Sequence, residues 1–451
     1  MEKPDIPRLI FITTAAAVLF LCGAVVGTVQ EFPRAALAFV ATSVAQVYHE
    51  RRTLAGTQPD HFLQIARYEG EGVVVNDHSA DSNDLVLLAG FFDGDNGLRL
   101  VRRDGSLVAE WPVRFSEIFP NPSHIDFPPA TDWNIDLHGA LALPDGSVVF
   151  NFEYGGLVKL DRCGEIVWTV PRMTHHSVER AEDGGYWVPG RQLVEAGTAS
   201  PFPPFEPPFY EDTLLKVSAD GVVEAEISVP QILYDNGLEA LLTSSGEDFE
   251  AGMSWDHEIV HLNKIDELPS TIAGDFPQFE AGDLALSLRQ LNMLLVVDPD
   301  DGKVKWWRIG PWLRQHDPEF QAGGRIVLFN NNNYRAAYGE NPDRGIGMPP
   351  RGSTILSIEP GKDSYRVLYG ARAGEDLLTV IRGKVQMTDA GGLMVTEFEG
   401  GRVFETDAAG NITWEYVNRY NAKRVAEITE ARVYPADYFT VSDWSCADRR
   451  N

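Results

Sequence analysis

The sequence reads as an all-β chain: a six-bladed β-propeller behind an N-terminal transmembrane helix and a short helical stalk. Three observations predict this. Strand-turn-strand units recur beyond about residue 80, helical periodicity is lost over the same stretch, and one long uncharged run stands near the N-terminus.

From Leu9 to Gln30 no residue is charged and most are apolar, a length that crosses a bilayer as a helix. Lys3 and Arg8 precede the run, which favours a cytoplasmic N-terminus and export of everything after it. The competing reading is a cleaved signal peptide, but the run is long for one and no small-x-small site closes it. Leu21 stands where lipidation of Cys22 calls for a small residue. Residues 1–30 are therefore expected to be a cytoplasmic tip and anchor, 31–60 a stalk or linker, and 61–451 the propeller, on the extracytoplasmic (periplasmic) side. Residues 34–52 lack Gly and Pro and suit the stalk helix.

Six hairpins then share one form, an apolar strand, an acidic or Gly-bearing turn, and a second strand often ending in an aromatic. They run Gly97 to Trp111, Gly156 to Trp168, Thr213 to Ile227, Asn292 to Trp306, Thr354 to Leu368 and Arg402 to Trp414. Several are preceded by another hairpin, as in Gly139 to Phe150, Ser177 to Val188 and Val385 to Val395. Two hairpins make a four-stranded blade, and repeats of roughly 40 to 60 residues built this way stack radially, which buries both faces of each small sheet. Two insertions, Pro201 to Tyr210 and Phe329 to Gly352, do not fit a sheet and are expected to cover one end of the propeller.

Composition narrows the function. Lys+Arg of 38 against Asp+Glu of 66 gives a formal charge of −28, which repels nucleic acid and anionic lipid at a distance. An anionic substrate must then be captured by a local cluster of Arg and His. Of three cysteines, Cys22 lies in the apolar run, and Cys163 and Cys446 are read as small core residues in preference to a bridge.

The histidines recur with the units. His138, His176 and His316 each stand just before the first strand of a unit, and His261 begins a similar run. First strands line the central channel of a propeller, so these residues converge at one mouth. Alternation places His261 and Asn263 on one strand face, and Arg289 ends another apolar run. The stretches Asp93 to Gly97 and Asp298 to Gly302 are read as turns, not cation loops. His257-Glu258-Ile259-Val260-His261 matches a zinc-hydrolase spacing, a minority reading because that pattern needs a helix and the surroundings are strand repeats.

The ordered set His261-Leu262-Asn263, Ser287-Leu288-Arg289 and Gln315-His316-Asp317 resembles the bacterial arylsulfotransferase family and its broader arylsulfotransferase-like relatives. The resemblance covers most of the chain after residue 80. It implies an exported six-bladed propeller that moves a sulfuryl group from a phenolic sulfate ester to a phenol through a sulfohistidine, with neither nucleotide, cofactor nor metal. It implies His316 as nucleophile, His261, Asn263 and Arg289 around the sulfate, and His176 as a further pocket histidine, with His138 competing for that part. Ser177 stands where many relatives carry an acidic residue. The rival reading, from a different class, is a catalytically silent membrane-anchored propeller that binds a ligand or protein partner in the same funnel.

Overall fold

The computed structural model describes residues 51–78, 82–203, 205–242, 259–333, 352–362 and 364–446. The chain divides into two units between His61 and Phe62, and the second, Phe62–Asn451, holds nearly all of the β structure. Among the described residues no helix is long and apolar enough to cross a membrane. The expected anchor, the stalk helix up to residue 50, His257 and most of the insertion after Phe329 lie outside the described residues.

The described residues are mostly β and form six antiparallel sheets of four or five strands, with a seventh of three. Sheet I joins Ile428–Tyr434 to Leu85–Phe92, Asp95–Arg102 and Leu107–Val113. Sheet II holds Leu137–Ala142, Val148–Phe152, Gly156–Leu160 and Ile166–Val170. In sheet III the first position is split between Met173–Thr174 and Glu179–Arg180, followed by Tyr186–Val194, Phe209–Val217 and Val223–Ser228. Sheet IV runs Leu262–Glu267, Leu284–Leu288, Met293–Val297, Val304–Ile309, and sheet V runs His316–Gln321, Arg325–Asn330, Thr354–Ile358, Tyr365–Tyr369. Sheet VI runs Lys384–Met387, Leu393–Glu397, Arg402–Thr406, Ile412–Val417, with Gly72–Asn76 added beyond its fourth strand. All six hairpins read from the sequence are the third and fourth strands of these sheets.

Burial explains the sequence pattern of each position. Second and third strands such as Leu284–Leu288 and Met293–Val297 are buried along their whole length, because a neighbouring sheet packs on either face, and they read as apolar runs broken only at Ser287. The outermost Val304–Ile309 is only partly covered. First strands such as Leu262–Glu267 and His316–Gln321 are largely buried yet carry Asn, Lys, Asp, Glu and His. Buried polar groups need partners, and first strands are where those partners meet.

Each sheet packs on the next through its own apolar cluster. Leu98 and Phe150 share one between sheets I and II, Val149 and Tyr186 one between II and III, and Phe209 and Leu286 one between III and IV. Val296 and Leu328 join IV to V, Phe329 and Val395 join V to VI, and Trp414 and Leu88 join VI back to I. Tryptophans add a recurring polar fastening. Trp111 Nε1 donates to Asp161 O at 3.0 Å, Trp168 Nε1 to Ala219 O at 3.0 Å, and Trp414 Nε1 to Arg103 O at 2.8 Å, each reaching a turn of the following sheet.

Two expectations are corrected. Cys163 and Cys446 form a disulfide with Cα atoms 5.6 Å apart. Neither sits in the core: Cys163 lies in a partly exposed turn and Cys446 in an exposed tail, so a thiol role as core filler does not apply. The Pro201 to Tyr210 insertion does not simply cap the sheets. Phe202, Phe205 and Phe209 are buried with Val229, Ile232 and Leu233, so its aromatics build core.

Candidate active site

The first strands are not regular. Pairing with the second strand shifts between Leu137 and Ala140, between Leu262 and Lys264, between His316 and Glu319, and between Ile428 and Glu430. A bulge bends the strand and re-aims the extra residue. His138, Asn263 and Asp317 sit in these bulges, and His175 and His176 occupy the split of sheet III. His176, His261 and Asp317 adopt φ of 57°, 53° and 53°, a region non-glycine residues seldom occupy and one that surrounding structure must hold. Asp212 supplies some of that hold, since its carboxylate accepts from the backbone N–H of His261 and of Leu262, both at 3.1 Å.

One glycine brings two sheets into register. A Cβ on Gly139 would lie 2.1 Å from His176 O and 2.8 Å from Val178 N, so only glycine lets the backbones approach this closely. The result is His138 over His176, with ring centroids 3.9 Å apart.

Around His176 the imidazoles gather. His175 Nδ1 and His176 Nδ1 are 2.7 Å apart, and His176 Nε2 and His261 Nε2 are 3.3 Å apart. The His176 and His316 rings lie 5.9 Å apart and nearly parallel. His138, His175, His176, His261 and His316 are all buried. Both nitrogens of His138 and Nε2 of His316 have no hydrogen-bond partner among the described residues.

The tautomer of His316 follows from its neighbours. Asn331 Nδ2 donates to Thr379 O at 2.9 Å and Arg382 O at 2.8 Å, which turns its Oδ1 toward His316. His316 Nδ1 lies 2.7 Å from that oxygen and 3.0 Å from Arg314 O. Both are acceptors, so Nδ1 carries the hydrogen and Nε2 carries the lone pair. Burial, then the Arg289 guanidinium, hold the pKa well below the ordinary imidazole value. Burial does the same to His176, helped by the imidazoles around it, and to His138, helped by Arg382 and Lys384. These three rings are neutral near pH 7.

The structure brings the His138, His176, His261 and His316 rings together, while His261 and Asn263 do not share the face that alternation implied. His261 turns back to His176 of sheet III. Asn263 reaches forward and donates to Gln315 O of sheet V at 2.8 Å, because the bulge at Asn263 breaks the shared face. Gln315 fastens the same junction, donating to Ser287 Oγ at 3.0 Å and Met293 O at 2.9 Å. Arg289, at the end of Leu284–Leu288, donates its backbone N–H to His261 O at 3.1 Å. Sequence reasoning missed Asn331, which sets the tautomer, and His175 and Asp212, which back the histidine pair. The run Asn330-Asn331-Asn332-Asn333 was the available signal for Asn331: consecutive amides beside buried strands need buried partners.

Below the imidazoles the same strands carry ions. Lys264 Nζ lies 2.7 Å from Glu179, 3.0 Å from Asp317 and 3.4 Å from Glu319. These three carboxylates are close enough together to hold a metal ion, but the ammonium already fills the space between them. His261 precedes a strand, Leu262–Glu267, and not the helix that a zinc-hydrolase motif requires. A cleft of about 300 Å³ opens beside the histidines, lined by Ile125, Phe127, Tyr154, Met173, Arg191 and Tyr210. Its Tyr154 ring lies 4.9 Å from that of His175.

A family model described as Arylsulfotransferase (ASST) matches residues 139–419. The chain belongs to the arylsulfotransferase family. The match includes His176, His261, Asn263, Arg289 and His316, and stops one residue short of His138. No curated protein matches the chain. Similar solved structures include a protein of unknown function from Bacteroides caccae, 13% identical over 74% of this chain and 93% of that one, with a TM-score of 0.42. Virginiamycin B lyase from Staphylococcus aureus is 10% identical over 80% of this chain and 88% of that one, with a TM-score of 0.39.

Proposed function

We propose that this protein transfers a sulfuryl group from a phenolic sulfate ester to a phenol through a sulfated His316. The observation that carries the proposal is the His316 ring: Nδ1 is committed to Asn331 Oδ1 and Arg314 O, while Nε2 is buried with no partner among the described residues.

In the first half-reaction the Nε2 lone pair forms a bond to sulfur as the sulfur–aryl oxygen bond breaks. The ring becomes cationic, and the acceptors at Nδ1–H stabilise that charge. Sulfuryl transfer resembles phosphoryl transfer, with charge on the equatorial oxygens in a loose transition state, and Arg289 offers a planar donor fork for those oxygens. The aryl oxygen departs with the bonding electrons as a phenolate, which takes its proton from solvent. In the second half an acceptor phenol that has lost its proton to solvent attacks sulfur through its oxygen, and the nitrogen–sulfur electrons go back to Nε2. The cleft beside His175 suits the aryl group, with apolar walls from Ile125, Phe127 and Met173.

The scaffold belongs to the same proposal. Six sheets packed in sequence, with the C-terminal strand Ile428–Tyr434 completing the sheet begun by Leu85–Phe92, support a closed six-bladed propeller. The Cys163–Cys446 bridge supports an oxidising, extracytoplasmic location, with the apolar run from Leu9 to Gln30 as the anchor.

The test is incubation with 4-nitrophenyl sulfate followed by intact-mass and peptide analysis. Wild-type protein gains one sulfuryl group on the peptide containing His316, and His316→Ala gains none. Wild-type protein left unlabelled by several aryl sulfates ends the transferase reading and favours a silent binding propeller.

A further inference from the structure

The Arg314 side chain has no role in the transfer chemistry, yet the residue stands two before His316 with its carbonyl 3.0 Å from His316 Nδ1. Asn292 ties its loop to that of Arg289. Asn292 N donates to Arg289 O at 3.1 Å, and Asn292 O accepts from Gly310 N at 3.0 Å and from Trp312 Nε1 at 2.8 Å. Asn292 Oδ1 accepts from Arg314 N at 2.6 Å. Both Asn292 and Arg314 adopt positive φ, 50° and 54°, so this bridge holds a strained path that brings the two arginines to neighbouring positions.

The Arg314 guanidinium differs from the other buried arginines. Arg382, Arg402, Arg432 and Arg103 each meet a carboxylate. Among the described residues Arg314 makes no ion pair, and its Nε is buried with no hydrogen-bond partner. Burial, and then the Arg289 charge, push its pKa down to about 10. A half-buried cation that faces another cation and no anion is unfavourable, and a bound oxyanion removes the penalty. The protein as a whole carries −28, so such an anion is not recruited by the overall field.

We propose that Arg314 joins Arg289 in a two-guanidinium cradle that binds the sulfuryl oxygens of the donor, Arg314 on the solvent side and Arg289 against His316. The proposal rests on the transferase reading for the identity of the anion. Arg314 then contributes mainly to donor binding, whereas Arg289, whose charge reaches His316, contributes mainly to transfer.

The test measures two quantities on the full chain. Isothermal titration with inorganic sulfate reads the cradle without any transfer. Arg314→Met is expected to weaken sulfate binding about tenfold, the value of a lost charged hydrogen bond, with Arg314→Lys between it and wild type. In labelling with 4-nitrophenyl sulfate, Arg314→Met raises KM while kcat is held, a split that a merely structural role does not produce. Equal sulfate affinity in wild type and Arg314→Met, or no sulfate binding by wild type, overturns the cradle. The two proposals fail separately: sulfate binding that depends on Arg314 without any label on His316 removes the transferase and keeps the cradle. Labelling with an unchanged KM in Arg314→Met and Arg314→Lys does the reverse.

Discussion

Two clusters grow from the same first strands and are finished differently. The ionic one, Glu179, Lys264, Asp317, Glu319, Lys384, Glu430 and Arg432, is linked throughout by ion pairs. The imidazole one leaves both nitrogens of His138 and Nε2 of His316 without partners among the described residues. An unmade buried hydrogen bond costs about 1–3 kcal/mol; in the ionic cluster Glu430 Oε2 and Arg432 Nε also lack one but each stands in an ion pair at 3.5 Å, whereas the imidazole nitrogens have neither. Ion-paired charge marks scaffold, and nitrogens with neither hydrogen bond nor ion pair mark the place where a ligand completes the site.

The largest expected difference is between His316→Ala and Lys264→Met. The first abolishes labelling by an aryl sulfate and keeps more of the stability. The second strips the shared cation from two buried carboxylates and a partly buried third, and removing one partner of a buried pair costs about 3–5 kcal/mol. Urea denaturation of both variants beside wild type checks the contrast. Equal destabilisation removes the distinction between the clusters.

A smaller effect is expected where the clusters are aligned. Gly139→Ala places a methyl 2.1 Å from His176 O, a backbone atom that has little room to give, and overpacking of this kind costs about 1–3 kcal/mol. The labelling rate should fall along with the thermal midpoint, because His138 and His176 are displaced from each other. A variant labelled at the wild-type rate shows that their stacking is not needed.

The four-stranded sheets were legible because their middle strands obey simple patterns. Leu284–Leu288 and Met293–Val297 are apolar almost from end to end, and the turn at Asp93-Gly94, with φ of 51° and 100°, is the two-residue hairpin turn that Asp-Gly favours. The convergence of His176, His261 and His316 was legible from their recurrence at unit starts. Their orientations were not, since bulges at Asn263 and at Asp317 shift the register and period-two reasoning fails there. Arg314 and Asn331 were hidden for another reason: their roles depend on which atoms of neighbouring loops face them, and one-dimensional spacing carries no such information. The Cys163–Cys446 bridge spans 283 residues, so only the closing of the C-terminal tail onto sheet II reveals it.

The subtlest contrast is in pH dependence, where the histidines and Glu319 pull in opposite directions. His138, His176 and His316 have folded pKa values well below the ordinary 6.5, so in acid the unfolded chain binds protons that the folded one refuses. Their contribution is present above about pH 6.5 and is lost as pH falls. Glu319 is raised to about 8, by burial first and by Asp317 and Asp266 among its neighbours, against the pull of Lys264. Its contribution is complete below the ordinary carboxyl value and is lost as pH rises through about 8. His138→Gln should therefore flatten the acid limb of the stability profile and leave the alkaline limb alone, while Glu319→Gln does the opposite. Each tenfold difference in proton affinity is worth about 1.4 kcal/mol, enough to resolve in urea midpoints taken between about pH 5 and 9. An acid limb in His138→Gln as steep as that of wild type means that this ring is not held neutral by burial.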